Sequence, residues 1–215
     1  MKLYIYDHCP FCARARMIFG LRDVPVEEIA LLNDDEATPI GLIGAKMVPI
    51  LQKPDGAHMG ESLDIVRFID DYAAKGRLKE DIRPEVQAWF DKAGGYVNKL
   101  VQPRDVKLGL PEFATPSAID YFMRKKEQII GNFETNLKNT DEYIRLAEAD
   151  LSGLATLVQS PAALGGELGM EDIIVFPILR NLTMVRGLEM PPGVLEYVRK
   201  MSELSKVPLY FDRAL

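Results

Sequence analysis

The sequence predicts an α/β domain followed by an all-α domain. Three observations carry that expectation. Residues 2–20, KLYIYDHCPFCARARMIFG, read as a short strand that breaks at Asp7-His8 and enters a helix, with two cysteines at the corner. Strand and helix signals then alternate up to residue 74. Past a charged stretch ending in proline, Ala73–Pro84 (AAKGRLKEDIRP), no convincing strand pattern remains.

Each element follows from local pattern. Leu3 and Ile5 alternate with Tyr4 and Tyr6, the period of two that marks a strand. Pro10 falls in the first turn of the next helix, where its missing N–H is no loss. Ala13 to Phe19 are good helix formers, and Gly20 or a neighbour is expected to end the run. A second strand is expected over Glu27–Leu32 and a short helix over Ala37–Gly44. Ile50–Gln52 reads as strand, with Pro49 at its start because proline cannot donate to a ladder. Lys53-Pro54-Asp55-Gly56 is a turn, Ala57–Met59 its return strand, and Gly60-Glu61-Ser62 opens a helix over Leu63–Ala74. Parallel pairing of the first two strands needs a helical crossover, which the cysteine-bearing helix supplies. The expected division is a first domain at 1–74, a linker at 75–84 and a helical domain at 85–215. In that domain helices are expected over Pro84–Gln102, with a bend at Gly94-Gly95, and over Ser117–Lys138. Others are expected from a cap at Thr140 or Asp141 through Leu157, over Met170–Arg186 and over Gly193–Leu204. Pro103–Pro116 reads as loop.

The corner Cys9-Pro10-Phe11-Cys12 carries the chemistry. A free thiol has a pKa near ~8.5, and the thiolate is the nucleophile. Unpaired N–H groups and the macrodipole at a helix start favour negative charge, and Cys9 at that edge feels them most. A drop of ~3 units requires about 4 kcal/mol of preference for the thiolate. The dipole supplies up to about 2 kcal/mol, so direct hydrogen bonds to sulfur must supply the rest. Cys12, three residues on, lies on the same side of the helix, at a separation that suits a disulfide. Cys9 is therefore expected to attack and Cys12 to resolve. Arg14 and Arg16 are expected to face solvent. A zinc site would need four ligands, and the chain holds only these two cysteines, His8 and His58, so no metal is expected.

Composition narrows the class. A net charge of −6 argues against nucleic acid as a partner. No stretch approaches the ~18 apolar residues of a membrane span, and the N-terminus lacks the apolar core of a signal peptide. Two cysteines in one CxxC fit a reducing compartment, so a cytoplasmic protein is expected. Nothing demands a dimer, and a monomer is expected.

The first 74 residues resemble the thioredoxin-like fold, and Cys9-Pro10-Phe11-Cys12 resembles the glutaredoxin active-site motif. Val48-Pro49 falls where that fold has its cis-proline. Glu61-Ser62 is similar to the acid–serine pair that opens the last helix of the same fold in glutathione transferases. The helical half, down to Glu171-Asp172-Ile173-Ile174-Val175-Phe176-Pro177, matches that superfamily as well. The chain thus resembles the two-domain bacterial glutaredoxins over nearly all of its length. The resemblance implies a glutathione-dependent thiol–disulfide oxidoreductase acting on disulfide-containing or glutathionylated proteins. Glutathione would be the reducing co-substrate, with Pro10, Phe11, Val48, Pro49, Glu61 and Ser62 around it. Val48 would pair with the peptide through its backbone. Ser62 would bind the γ-glutamyl carboxylate at a helix start and Glu61 the ammonium, although Ser62 also reads as a plain N-cap. His8 would border the site, and Lys46 is either a carboxylate ligand or a solvated surface lysine. Two departures stand out: Phe11 replaces the usual tyrosine, and Gly169 stands where a Ser or Thr usually begins the capping box of the helical half. The alternatives are a glutathione transferase or a dehydroascorbate reductase using Cys9.

Overall fold

The computed structural model describes all residues, 1–215. The N-terminal alternation becomes β1 (Lys2–Ile5), with Leu3 and Ile5 buried and Tyr4 and Tyr6 partly exposed. Helix α1 (Pro10–Leu21) follows, then β2 (Glu27–Ala30), α2 (Ala37–Ile43), the hairpin β3 (Ile50–Gln52) and β4 (His58–Met59), and α3 (Ser62–Ala73). The sheet order is β2-β1-β3-β4. Strands β1 and β2 are parallel, as a crossover through α1 requires, and β3 runs antiparallel to both β1 and β4. The Val48–Pro49 peptide is cis. This is a thioredoxin-like sheet domain joined to a helical domain in the architecture of glutathione transferases.

Helix α1 ends one residue past Gly20, at its neighbour Leu21, as expected, and Gly20 has a packing role. A Cβ there would sit 1.8 Å from the Ser205 carbonyl oxygen, so this glycine lets the last long helix approach α1.

The helical half holds α4 (Pro84–Ala93), α5 (Val97–Asp105), α6 (Pro116–Ile130), α7 (Phe133–Lys138), α8 (Thr140–Ala155), α9 (Met170–Leu182) and α10 (Pro192–Ser205). It has no sheet of its own, only isolated bridges. Two expected long helices are broken. The Gly94-Gly95 bend is a full break between α4 and α5, and Gly131, at φ 82°, ends α6 before Asn132 caps α7 by accepting from the Thr135 N–H. The expected loop from Pro103 is structured at both ends: Pro103 lies inside α5, and Pro111–Phe113 form a 3-10 turn. Thr140 does not cap α8; its hydroxyl donates to the Leu137 carbonyl.

Helix α1 is the shared wall of the molecule. It packs on α3 and also on α9 and α10. The buried side chains of both halves therefore join in one continuous apolar cluster, from Leu3, Met17 and Ile65 to Phe176, Tyr197 and Met201. The start of α1 is fixed from both sides.

Candidate active site

Cys9 is the N-cap of α1, with extended backbone angles of φ −70° and ψ 120°. Its N–H donates to the Tyr6 carbonyl at 3.3 Å, and its carbonyl accepts from the Ala13 N–H at 2.9 Å. Cys9 is half-buried, Cys12 fully buried, and both are free thiols. The Cys12 thiol donates to Cys9 sulfur, and this is the largest influence on it. Burial opposes ionisation, while the His8 charge and the N–H groups of Cys12 and Phe11 favour it, and the Cys9 pKa is lowered to about 6. Burial and the neighbouring Cys9 push Cys12 the opposite way, well above the usual thiol range, although its sulfur accepts from the Tyr6 N–H at 3.4 Å. The two sulfurs are thus separated into one that favours the thiolate and one that keeps its proton.

His8 is tied down at three points. Its N–H donates to Glu112 Oε1 at 2.9 Å, its ring Nδ1 lies 2.5 Å from the same oxygen, and its carbonyl accepts from Asn181 Nδ2 at 2.8 Å. The Glu112 side chain has no solvent exposure. Burial works against a charged imidazole, but the Asp105 carboxylate and the Glu112 hydrogen bond outweigh it, and the His8 pKa is raised to about 9. Glu112 is held low by His8 despite its own burial. Asp105 is pushed by burial up to about 7, with His8 acting in the opposite sense. Tyr6 stacks on the His8 ring, and Phe113 and Phe122 pack against it.

Two cavities flank Cys9, and Cys9, His8 and Lys126 line both. One, of about 240 Å³, is bordered on the sheet side by Tyr6, Lys46 and Val48. The other, of about 300 Å³, opens toward the helical half between Phe11, Arg14, Phe90, Asp105 and Asn181. Four of the seven buried side-chain atoms without a hydrogen-bond partner belong to residues of this second cavity: Arg14 Nε, Gln102 Oε1, Asp105 Oδ1 and Asn181 Oδ1. Pro10 and Phe11, the latter half exposed, lie on its rim. Pro49, Glu61 and Ser62 line neither cavity.

The family model described as Glutaredoxin 2, C terminal domain, matches residues 85–214, and that of the Glutathione S-transferase, N-terminal domain, matches residues 3–77. Glutaredoxin 2 of Escherichia coli strain K12 is 46% identical over 215 residues, covering 100% of both chains. The chain belongs to the glutaredoxin 2 family. It is thereby a glutathione-dependent disulfide oxidoreductase. The crystal structure of glutaredoxin 2 from Salmonella typhimurium in complex with glutathione superposes with a TM-score of 0.97 at 47% identity, covering 100% of this chain and 98% of that one. The Tau class glutathione S-transferase of mango shares the fold, with a TM-score of 0.61 at 18% identity over 99% of this chain and 94% of its own.

Within this glutaredoxin 2 framework several side chains depart from the sequence expectation. Arg14 and Arg16 are buried rather than solvent-facing. Arg16 donates to Asp7 at 2.5 Å and to Glu28 at 2.9 Å, and the Arg14 guanidinium lies 4.8 Å over the Phe11 ring. Lys46 is neither solvated nor free: its ammonium donates to Tyr6 Oη at 2.6 Å, the Asn33 carbonyl at 2.9 Å and the Asp35 carbonyl at 2.6 Å. Ser62 is not the N-cap of α3; Glu61 is, with a positive φ of 60° that non-glycine residues rarely adopt. Asp105, Glu112 and Asn181 were not expected near the cysteines. Asp105 and Glu112 sit in a stretch with no periodicity to read, and Asn181 sits in an apolar helix whose pattern signals only core.

Proposed function

We propose that the chain reduces glutathione mixed disulfides and protein disulfides through the Cys9–Cys12 dithiol. The observation that carries this reading is the thiolate-favouring environment of Cys9 at the start of α1, with the Cys12 thiol donating to it. Cys9 thiolate attacks the glutathione sulfur of a mixed disulfide, the S–S bond breaks, and the other sulfur leaves as a thiolate. A second glutathione thiolate then attacks the mixed disulfide on Cys9, releasing glutathione disulfide and regenerating the thiolate. With a protein disulfide, Cys12 displaces the substrate and closes a Cys9–Cys12 bond, which glutathione later opens. No metal or organic group is needed.

Glutathione fits on the sheet side. The Val48 N–H and C=O have no backbone partner, so they are free to pair with the peptide as an added strand after Pro49. The start of α3 offers the Ser62 N–H and hydroxyl to the γ-glutamyl carboxylate, and Glu61 is exposed for the ammonium. The complex of the Salmonella relative with glutathione supports glutathione as the ligand. Lys46, already committed to three oxygens, is the weakest ligand of the set. In this reading residues 1–74 carry the dithiol, 75–84 connect, and 85–215 wall the second cavity. One chain lines both cavities, so a monomer suffices.

The test is a pair of variants assayed on a glutathione mixed disulfide. Cys9→Ser removes all exchange. Cys12→Ser keeps turnover, because glutathione resolves the intermediate, but loses reduction of protein disulfides. Equal loss in both variants would overturn the division of labour. An aryl halide assay separates the transferase reading: conjugation outpacing disulfide reduction would favour it.

A further inference from the structure

We propose that His8 is the proton-transfer residue of the exchange cycle and that Glu112 is its positioning residue. The inference rests on the thiol-exchange reading above and assigns a step that reading leaves open. Each turn expels one thiolate from the mixed disulfide and consumes one glutathione thiol. A proton must therefore travel from the incoming glutathione to the departing sulfur.

Three features fit His8 to that task. It directly precedes Cys9 and lines both cavities that flank the Cys9 thiol. Its Nδ1 is committed to Glu112, which fixes the ring orientation, whereas Nε2 makes no hydrogen bond within the protein and is not among the sealed, unpaired atoms. The support comes from the other half of the fold: Glu112 precedes α6, and Asn181 on α9 holds the His8 carbonyl. A histidine serving only as a structural clamp would need the Glu112 contact but no access to two substrate cavities.

The groups around the ring are Tyr6 just past β1, Cys9 and Cys12 at the start of α1, Asp105 at the end of α5, Glu112 on the 3-10 turn and Lys126 on α6. The carboxylates favour an imidazolium, and His8 is raised to about 9, so it carries the proton at neutral pH. The step balances. Cys9 thiolate forms a bond to the glutathione sulfur, the electron pair of the broken S–S bond goes to the departing sulfur, and His8 Nε2 gives it a proton. In the second half-reaction the incoming glutathione thiol returns a proton to His8, and Cys9 leaves as thiolate.

The test compares two glutathione mixed disulfides at pH 7. In one the departing group is a cysteinyl peptide, with a thiol pKa near ~8.5. In the other it is a nitroaryl thiol, acidic enough to leave unprotonated. In His8→Gln, kcat/KM should fall by about 100-fold or more for the cysteinyl peptide and by less than about 10-fold for the nitroaryl thiol. Glu112→Gln should shift the ratio in the same direction by less, and it reads the same ratio if the first variant folds poorly. Any loss of Cys9 thiolate slows both substrates equally, so it leaves the ratio untouched. An unchanged ratio in both variants would overturn the assignment. Failure of the unmodified protein to turn over either substrate would instead sink the oxidoreductase reading beneath it.

Discussion

At the scale of single residues, the molecule concentrates buried charge at the end of β1. Arg180 is fully buried and donates to Asp7 Oδ1 at 2.8 Å, the Asp7 carbonyl at 2.7 Å and the Pro208 carbonyl at 2.8 Å. Arg180 and Arg16 hold the Asp7 carboxyl below its usual range against the effect of burial. Arg180→Leu should destabilise the protein by about 3 kcal/mol, the low end for a broken buried pair because Arg16 stays with Asp7; urea unfolding reads it. The His8–Glu112 pair makes a prediction of opposite character. The folded pKa of His8, about 9, exceeds its unfolded value, so its contribution to stability is complete below about pH 6.5 and is lost as pH rises through 9. Cys9 acts in reverse, contributing above the unfolded thiol pKa and losing that as pH falls through 6. In a Cys9→Ser background, urea titrations should therefore show stability declining between pH 6.5 and 9, and adding His8→Gln should flatten that decline. The cysteines and His8 were legible from the chain. Asp105 and Glu112 were not, because two acids in an aperiodic stretch reveal nothing until α5 and α6 bring them against the ring.

At the scale of elements, the start of α9 explains a departure from the expected capping box. Gly169 has no side chain to cap with, yet Asp172 does reach back: its Oδ2 accepts from the Gly169 N–H at 2.9 Å. Its Oδ1 accepts from the Leu164 N–H at 2.8 Å and the Tyr197 hydroxyl at 2.9 Å. The residue is glycine because Lys79 from the connecting segment lies across it; a Cβ would sit 2.7 Å from the Lys79 carbonyl. Gly169→Ser adds a favoured cap in sequence terms and should still destabilise by about 1–3 kcal/mol, since the crowding exceeds the cap's worth. A gain in urea midpoint would show that Lys79 can move aside. Elements were most legible where proline, glycine and period agreed, as in β1, α1 and the β3–β4 hairpin. The glycine pair at Gly94-Gly95 signalled a bend that proved a full break, whereas a long apolar period hid the break at Gly131-Asn132, because the residues on either side keep the same spacing while the chain changes direction.

At the scale of the whole molecule, two halves share one helix start. The connecting segment is docked: Arg83 pairs with Glu171 at 2.8 Å, and the Lys79 backbone bonds to Leu168 and Met170. Helix α1 lies between α3 on one side and α9 and α10 on the other, and the groups that set the charge beside Cys9 come from both halves. The sequence pattern exposed the two-part architecture and the dithiol. It could not expose their coupling, since that depends on side chains roughly 100 residues apart meeting at His8. The central claim is that this shared environment keeps Cys9 ionised under neutral conditions. Thiolate absorbance of the reduced Cys12→Ala protein omits the Cys12 hydrogen bond, so the direct measurement uses the unaltered chain: the rate of selective Cys9 alkylation against pH. The account predicts a midpoint near pH 6. A midpoint near ~8.5, that of an ordinary cysteine, would contradict it.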